Sequence, residues 1–309
     1  MRIAFFGTPE FATPALRAMI GEGFDVVAAV TQPDRPRGRS RSRLDPSPVK
    51  VVALEEGIPV LQPERARGPE FLAALRACTP EISVVVAYGQ ILPADVIDAP
   101  PRGTLNIHAS LLPAYRGAAP IQAAILDGCT TSGVTIMRMQ PALDTGPSIL
   151  QLPVPIAPDE TAGELQLRLA ELGAEALIEA LTLIALGRAA ETPQDETRAT
   201  WAPKIEREQA ELAFAAPGDR VARLVRAYDP KPGAWTTLGG LEVRCFGARV
   251  VDGRAGTPGE VLEAGDDGLL VACGEGSVRI AEVHPAGKKR LAAAQWVRGR
   301  GVQVGDRFG

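Results

Sequence analysis

The chain carries only two histidines and four cysteines, and no two cysteines stand in a C-x-x-C pair. It also lacks an apolar run long enough to cross a bilayer, which argues against a membrane-spanning helix. Met1-Arg2-Ile3-Ala4-Phe5-Phe6-Gly7 has no signal-peptide anatomy and reads as a first strand running straight into the fold. Cys78, Cys129, Cys245 and Cys273 are widely spaced and read as buried thiols of a cytoplasmic protein, with no structural zinc or other metal site expected. A third absence concerns cofactors. Gly7-Thr8-Pro9-Glu10 follows the first strand, where a dinucleotide-binding fold would carry G-x-G-x-x-G. Without the second and third glycines the tight turn and the close approach to a pyrophosphate are lost, which argues against a nicotinamide or flavin cofactor. Internal repeats and low-complexity tracts are missing too, apart from one basic loop.

What remains is a soluble α/β pattern. At 309 residues and 46% hydrophobic content, two domains are expected, with ample material for a core. Short apolar, β-branched runs at Arg2–Phe6, Asp25–Thr31, Glu81–Ala87, Gly103–His108 and Gly133–Met137 read as strands. A helix is expected over Pro14–Ile20, and Thr161-Ala162-Gly163-Glu164 reads as a capping box opening a helix to about Leu186. This alternation predicts a Rossmann-like, mostly parallel sheet with helices on both faces over residues 1–187. A polar stretch, 188–207, reads as a linker. Residues 208–309 show a short helix at Asp219–Ala227 and five short strands with tight turns at Gly239-Gly240 and Asp266-Asp267-Gly268. That pattern predicts a small C-terminal OB-like β-barrel. Residues 1–208 hold 19 Lys+Arg against 25 Asp+Glu, net −6, and residues 209–309 hold 14 against 12, net +2. The sign of the difference suits a C-terminal half that meets a polyanion.

The chemistry concentrates in a few places. Asn106 and His108 are two apart on one strand, so both point to the same face while Leu105 and Ile107 take the other. Asn can donate to a developing oxyanion, and His can move a proton. Asp144, in the turn Leu143-Asp144-Thr145-Gly146, could orient the imidazole if the fold brings it there. On this pattern alone a structural histidine and a catalytic one remain alternatives. Arg35, Arg37, Arg39, Arg41 and Arg43 alternate with small residues in one loop, and Lys288-Lys289-Arg290 makes a second basic turn. Each reads either as a solvated surface loop or as a contact for phosphates, and the pair favours an extended polyanion.

The motifs FFGTPEFA, TQPDRPRGR, PSPVK, VVVAYGQILP, NIHASLLPAYRGAAPIQ, GVTIM, LDTG, WAPKI, RAYDPKPGAW and PAGKK together resemble the folate-dependent formyltransferases over nearly the whole chain. The basic loop and the PAGKK turn resemble the branch that acts on tRNA. The resemblance implies 10-formyltetrahydrofolate as donor and the amino group of methionine on initiator methionyl-tRNA as acceptor. It implies Asn106, His108 and Asp144 as catalytic residues. Ser110, Leu111, Leu112 and Pro113 would line the donor site, with Tyr88, Gln90 and Leu92 near its pterin. Arg39, Arg41, Arg43, Lys288 and Lys289 would contact tRNA. The family's basic loop commonly carries lysines where this chain has arginine and serine, so Arg39 is the safest carry-over there. A monomeric enzyme with no membrane partner is expected. The nearest rival is a formyltransferase acting on a nucleotide-linked amino sugar, which shares the Asn-His-Asp core but has no need of two basic loops. A formyl-folate hydrolase or an RNA-binding protein with a vestigial site fits less well.

Overall fold

The computed structural model describes residues 1–36 and 44–309. Packing divides it into two compact units, one of Met1–Gly117, Ser132–Val154 and Gln166–Ala202, the other of Ala118–Thr131, Pro155–Leu165 and Pro203–Gly309.

Seven strands build the sheet of the first unit: β1 (Arg2–Gly7), β2 (Asp25–Val30), β3 (Val60–Leu61), β4 (Ile82–Val86), β5 (Thr104–His108), β6 (Thr131–Arg138) and β7 (Ser148–Pro155). Their order is β7-β6-β5-β4-β1-β2-β3. The pairs β1–β2, β1–β4, β2–β3 and β4–β5 are parallel. Helices α1 (Thr13–Gly21), α2 (Pro48–Glu55) and α3 (Pro69–Ala77) connect the parallel strands. β1 and β4 are central and buried on both faces, which is why Ile3–Phe6 and, Ser83 apart, Ile82–Val86 are apolar without alternation. The strand order reverses at β1, so the crevice at the carboxyl ends of β1 and β4 is where such folds gather ligands. Strand β6, which follows helix α4 (Pro120–Leu126), runs antiparallel to β5. An antiparallel partner needs no crossover in a fixed sense, and the apolar run at Gly133–Met137 could not reveal its direction.

Helix α5 (Ala162–Ala185) opens as its sequence predicts. Glu164 N–H donates to Thr161 Oγ1 at 3.2 Å, and Thr161 N–H donates back to the Glu164 carboxylate at 2.9 Å.

In the second unit, α6 (Gly218–Ala227) is followed by β8 (Ala234–Leu238), β9 (Leu241–Val251), β10 (Val261–Gly265), β11 (Gly268–Ala272), β12 (Ser277–Pro285) and β13 (Leu291–Ala292), then α7 (Ala293–Arg298). The antiparallel order is β8-β9-β12-β11-β10, with β13 on β12. Among the described residues no ladder closes this path into a ring. The C-terminal tail joins its edges instead: Phe308 bridges Leu238 at the end of β8, and Arg307 bridges Glu260 just ahead of β10. Val221, Val225, Cys245, Val271, Ile280, Trp296 and Phe308 fill the core.

Among the described residues, no helix is long and apolar enough to cross a membrane.

Candidate active site

β5 ends in the site. Its register sets Asn106 opposite Val85 on one side and Met137 on the other, and His108 opposite Thr135. Leu105 and Ile107 are buried on the far face, as period-two alternation requires. Asn106 is half-buried, and among the described residues its amide has no hydrogen-bond partner. A partnerless amide at a strand end has its donors free for a ligand.

His108 is 5% exposed and contacted at both ring nitrogens. Nε2 lies 2.9 Å from the Tyr115 carbonyl, and Nδ1 lies 3.7 Å from Asp144 Oδ2. Both neighbours are acceptors, so the Nε2 contact requires Nε2–H as the donor. Asp144 is thus brought to His108 across thirty-six residues of chain. Its Oδ2 also accepts from the Gly117 N–H at 2.8 Å.

Two of the backbones that hold this pair are unusual. Tyr115 and Asp144 sit in the left-handed region at φ 60° and 53°. For residues with a Cβ this costs on the order of 1–3 kcal/mol each, and it persists only where the surroundings enforce it. Two glycines permit the close packing. A Cβ on Gly146 would run into the Arg138 carbonyl oxygen, and one on Gly117 would lie 2.6 Å from the Ala202 carbonyl oxygen.

The turn after His108 is braced from β6 and β7. Thr135 Oγ1 donates to the Ser110 carbonyl at 2.6 Å and accepts from Leu112 N–H at 3.1 Å. Gln151 donates to the Leu112 carbonyl at 2.6 Å. Ser110 spends its own hydroxyl proton on the Ala114 carbonyl. Leu112 is buried, while Leu111 and Pro113 are half-exposed.

The segment after β4 is fixed differently. The Tyr88 ring is buried edge-on against Phe6, with centroids 5.5 Å apart, and its carbonyl accepts from Thr8 Oγ1 at 2.8 Å. Leu92 is buried in the same cluster. Gln90 is tied back through its side chain, accepting from Ala66 N–H and donating to Gln32 Oε1 and the Glu64 carbonyl. Ile91, between them, is 83% exposed, and Leu143 beside Asp144 is 49% exposed.

The polar segment that follows α5, expected as a linker, also reaches the site, a contact with no signal in the sequence. Gln194 donates both amide hydrogens, to the Asp144 carbonyl at 2.8 Å and the Gly146 carbonyl at 2.7 Å. Its Oε1 accepts from Arg116, which is 2% exposed and also forks onto the Glu196 carboxylate at 2.7 and 2.8 Å. That pairing holds the Arg116 guanidinium above its ordinary range and the Glu196 carboxyl below its own. Nothing in the composition of 188–207 distinguishes such a strap from a linker.

Lys288 and Lys289 are exposed in the turn between β12 and β13 of the second unit. Arg39, Arg41 and Arg43 lie outside the described residues. Among the described residues no three His, Cys, Asp or Glu side chains converge as metal ligands.

Residues 1–181 match the family profile described as "Formyl transferase", and residues 204–301 match "Formyl transferase, C-terminal domain". A Rossmann-like unit followed by an antiparallel unit under these two profiles defines the class: the chain belongs to the formyl transferase family and is a formyl-transferring enzyme. The branch is set by relatives that align along its full length. The methionyl-tRNA formyltransferase of Chromobacterium violaceum is 49% identical over 100% of both chains. That of Aromatoleum aromaticum is 48% identical over 100% of this chain and 97% of its own. Among solved structures, an N-formyltransferase from Helicobacter canadensis in complex with folinic acid and dTDP-3-aminofucose superposes with a TM-score of 0.69. That match covers 94% of this chain and 99% of the other at 16% identity, a likeness of fold.

Proposed function

We propose that this chain moves a formyl group from 10-formyltetrahydrofolate to the amino group of methionine esterified to initiator tRNA, with Asn106, His108 and Asp144 as the catalytic residues. The carrying observation is His108 held between Asp144 and the Tyr115 carbonyl while the amide of Asn106, on the same strand face, has no partner among the described residues.

Direct attack needs no nucleophile from the protein. The amine lone pair adds to the formyl carbon, and the carbonyl pair moves onto oxygen. Asn106 N–H donates to that oxyanion, and a protonated His108 adds positive charge beside it. As the oxyanion collapses and the old C–N bond breaks, His108 Nδ1, which at 3.7 Å from Asp144 Oδ2 makes no hydrogen bond, gives a proton to the departing nitrogen and takes up the one that the new amide nitrogen loses. Asp144 orients the imidazole throughout. The donor fits the strand-end crevice on two observations: the unpartnered Asn106 amide, and the exposed apolar Ile91 and Leu143 on the loops after β4 and β6, surface that a flat heteroaromatic ring would cover. Ser110–Pro113, Tyr88, Gln90 and Leu92 shape that crevice chiefly through backbone and packing. Arg39, Arg41, Arg43, Lys288 and Lys289 are proposed as phosphate contacts to the tRNA.

The test offers labelled formyl-folate with methionyl-tRNA, with a nucleotide-linked amino sugar, or with no acceptor. Formyl-methionyl-tRNA is the expected product. Formylated sugar, or formate released without an acceptor, would replace this reading with one of its rivals. Raising salt from about 50 to 200 mM should raise KM for methionyl-tRNA steeply and leave the donor KM unchanged if the basic residues contact phosphates.

A further inference from the structure

We propose that Gln194 and Thr200, on the polar segment following α5, are positioning residues for formyl transfer, strapping the two groups that flank His108. This rests on the reading of His108 and Asp144 as a catalytic pair.

Both flanking groups sit on left-handed, non-glycine backbone, so neither is held where it is by local preference. The same segment grips each of them. At the Asp144 side, Gln194 Nε2 donates to the carbonyls of Asp144 and Gly146, so its two hydrogens pin the peptide planes that set where the Asp144 side chain emerges. At the Tyr115 side, Thr200 Oγ1 accepts from Tyr115 N–H at 2.8 Å. The Thr200 carbonyl accepts from Arg116 N–H at 2.9 Å, and Thr200 N–H donates to the Pro113 carbonyl at 3.2 Å. Tyr115 is thereby fixed from both sides of its own peptide, and its carbonyl meets His108 Nε2.

Arg116 makes the grip directional. It donates to Gln194 Oε1 through Nε at 3.1 Å and Nη2 at 2.8 Å, so the amide oxygen must face the guanidinium and the NH₂ must face the Asp144 turn. Glu196 in turn holds Arg116. A line of dependence therefore runs from Glu196 through Arg116, Gln194 and Asp144 to His108, and Thr200 closes the other side. Gln194 and Thr200 have no chemistry to offer the reaction, and only their effect on geometry is at stake. Misplacing a reacting group by about 1 Å can cost on the order of 10²-fold in rate.

The test is Gln194→Glu, with kcat, both KM values and the melting temperature measured on the full chain. This change keeps an oxygen for Arg116 but removes both N–H donors to the Asp144 turn. The expected result is a fall in kcat of about tenfold or more, with both KM values within about twofold and the melting temperature unchanged. Thr200→Val, at an exposed position, removes only the acceptor of Tyr115 N–H and should lower kcat likewise, and Thr200→Ser should restore most of it. Wild-type kcat in both Gln194→Glu and Thr200→Val overturns the proposal, as does a fall in kcat matched by an equal rise in either KM. Asp144→Asn assayed alongside separates the two levels. Full turnover there defeats the catalytic pair itself, whereas full turnover in the strap variants alone defeats only the strap.

Discussion

In the proposed mechanism, replacing Asn106 or His108 with alanine removes one group that stabilises the developing oxyanion. Loss of such a donor costs about 2.7–4 kcal/mol of barrier, so kcat should fall on the order of 10²-fold or more in either variant. Steady-state kinetics with saturating donor and methionyl-tRNA check this, and near-normal turnover would sink the mechanism. Tyr88 is a different kind of residue. Its hydroxyl is buried with no partner among the described residues, and burial pushes the phenol up to about 12. An unfolded phenol ionises near the ordinary value of 10.0, so between there and about 12 the unfolded chain has lost a proton that the folded chain keeps. Stability from this group is full below that window and declines as pH rises through it. Tyr88→Phe removes an unsatisfied polar atom and keeps the ring. It should gain about 1 kcal/mol and flatten the alkaline loss, measured by urea unfolding at neutral and alkaline pH.

At the scale of elements, Arg35–Pro36 pairs with Leu44–Asp45 just ahead of α2. Ser47 caps α2 by accepting from Lys50 N–H at 3.1 Å and shares a 2.6 Å hydrogen bond with Thr31 Oγ1. Asp34 takes the Lys50 ammonium at 2.5 Å and the Gln62 amide at 2.7 Å, and these contacts hold its carboxyl below the ordinary 3.8. That contribution is present above the unfolded value and is lost as pH falls through the lower folded one. Ser47→Ala should cost about 1 kcal/mol, seen as a lower melting temperature. Much at this scale was legible. The strands at Arg2–Phe6 and Asp25–Thr31, the helix at Pro14–Ile20 and the capping box of α5 all form within a residue or two of their expected bounds, because periodicity and caps are local signals. β7 and the two-residue strands went unread, since short pairings draw their stability from neighbours and leave little pattern.

Over the whole chain, the two units solve different problems. The first buries the parallel centre of a mixed sheet on both faces and leaves its strand ends open. The second must manage the edges of an antiparallel sheet, and it does so with its last residues. Phe308 N–H donates to the Gly259 carbonyl, Gly309 N–H donates to the Thr237 carbonyl, and the Phe308 ring stacks on Phe214 at 5.8 Å. Phe308 is 2% exposed. Phe308→Ala should therefore cost about 3–5 kcal/mol, read as an early unfolding transition in a thermal melt. A C-terminal tail built into a core in this way gives little sign of itself in sequence, where Val302–Gly309 reads as a polar, glycine-punctuated end.

The sequence by itself determined which faces point where. A period of two sets Asn106 and His108 on one side of a strand whatever the strand packs against, and the motifs that resemble formyltransferases carried family and reaction. Only the tertiary structure decided which distant groups meet. Asp144 reaches His108 because β6 turns back antiparallel beside β5 and strained backbone at Asp144 aims its carboxylate inward. Gln194 reaches Asp144 because a polar strap packs along the site, and local composition cannot tell such a strap from a solvated linker. Periodicity is a property of neighbours in sequence, whereas these contacts depend on where the packed sheet brings chain ends together.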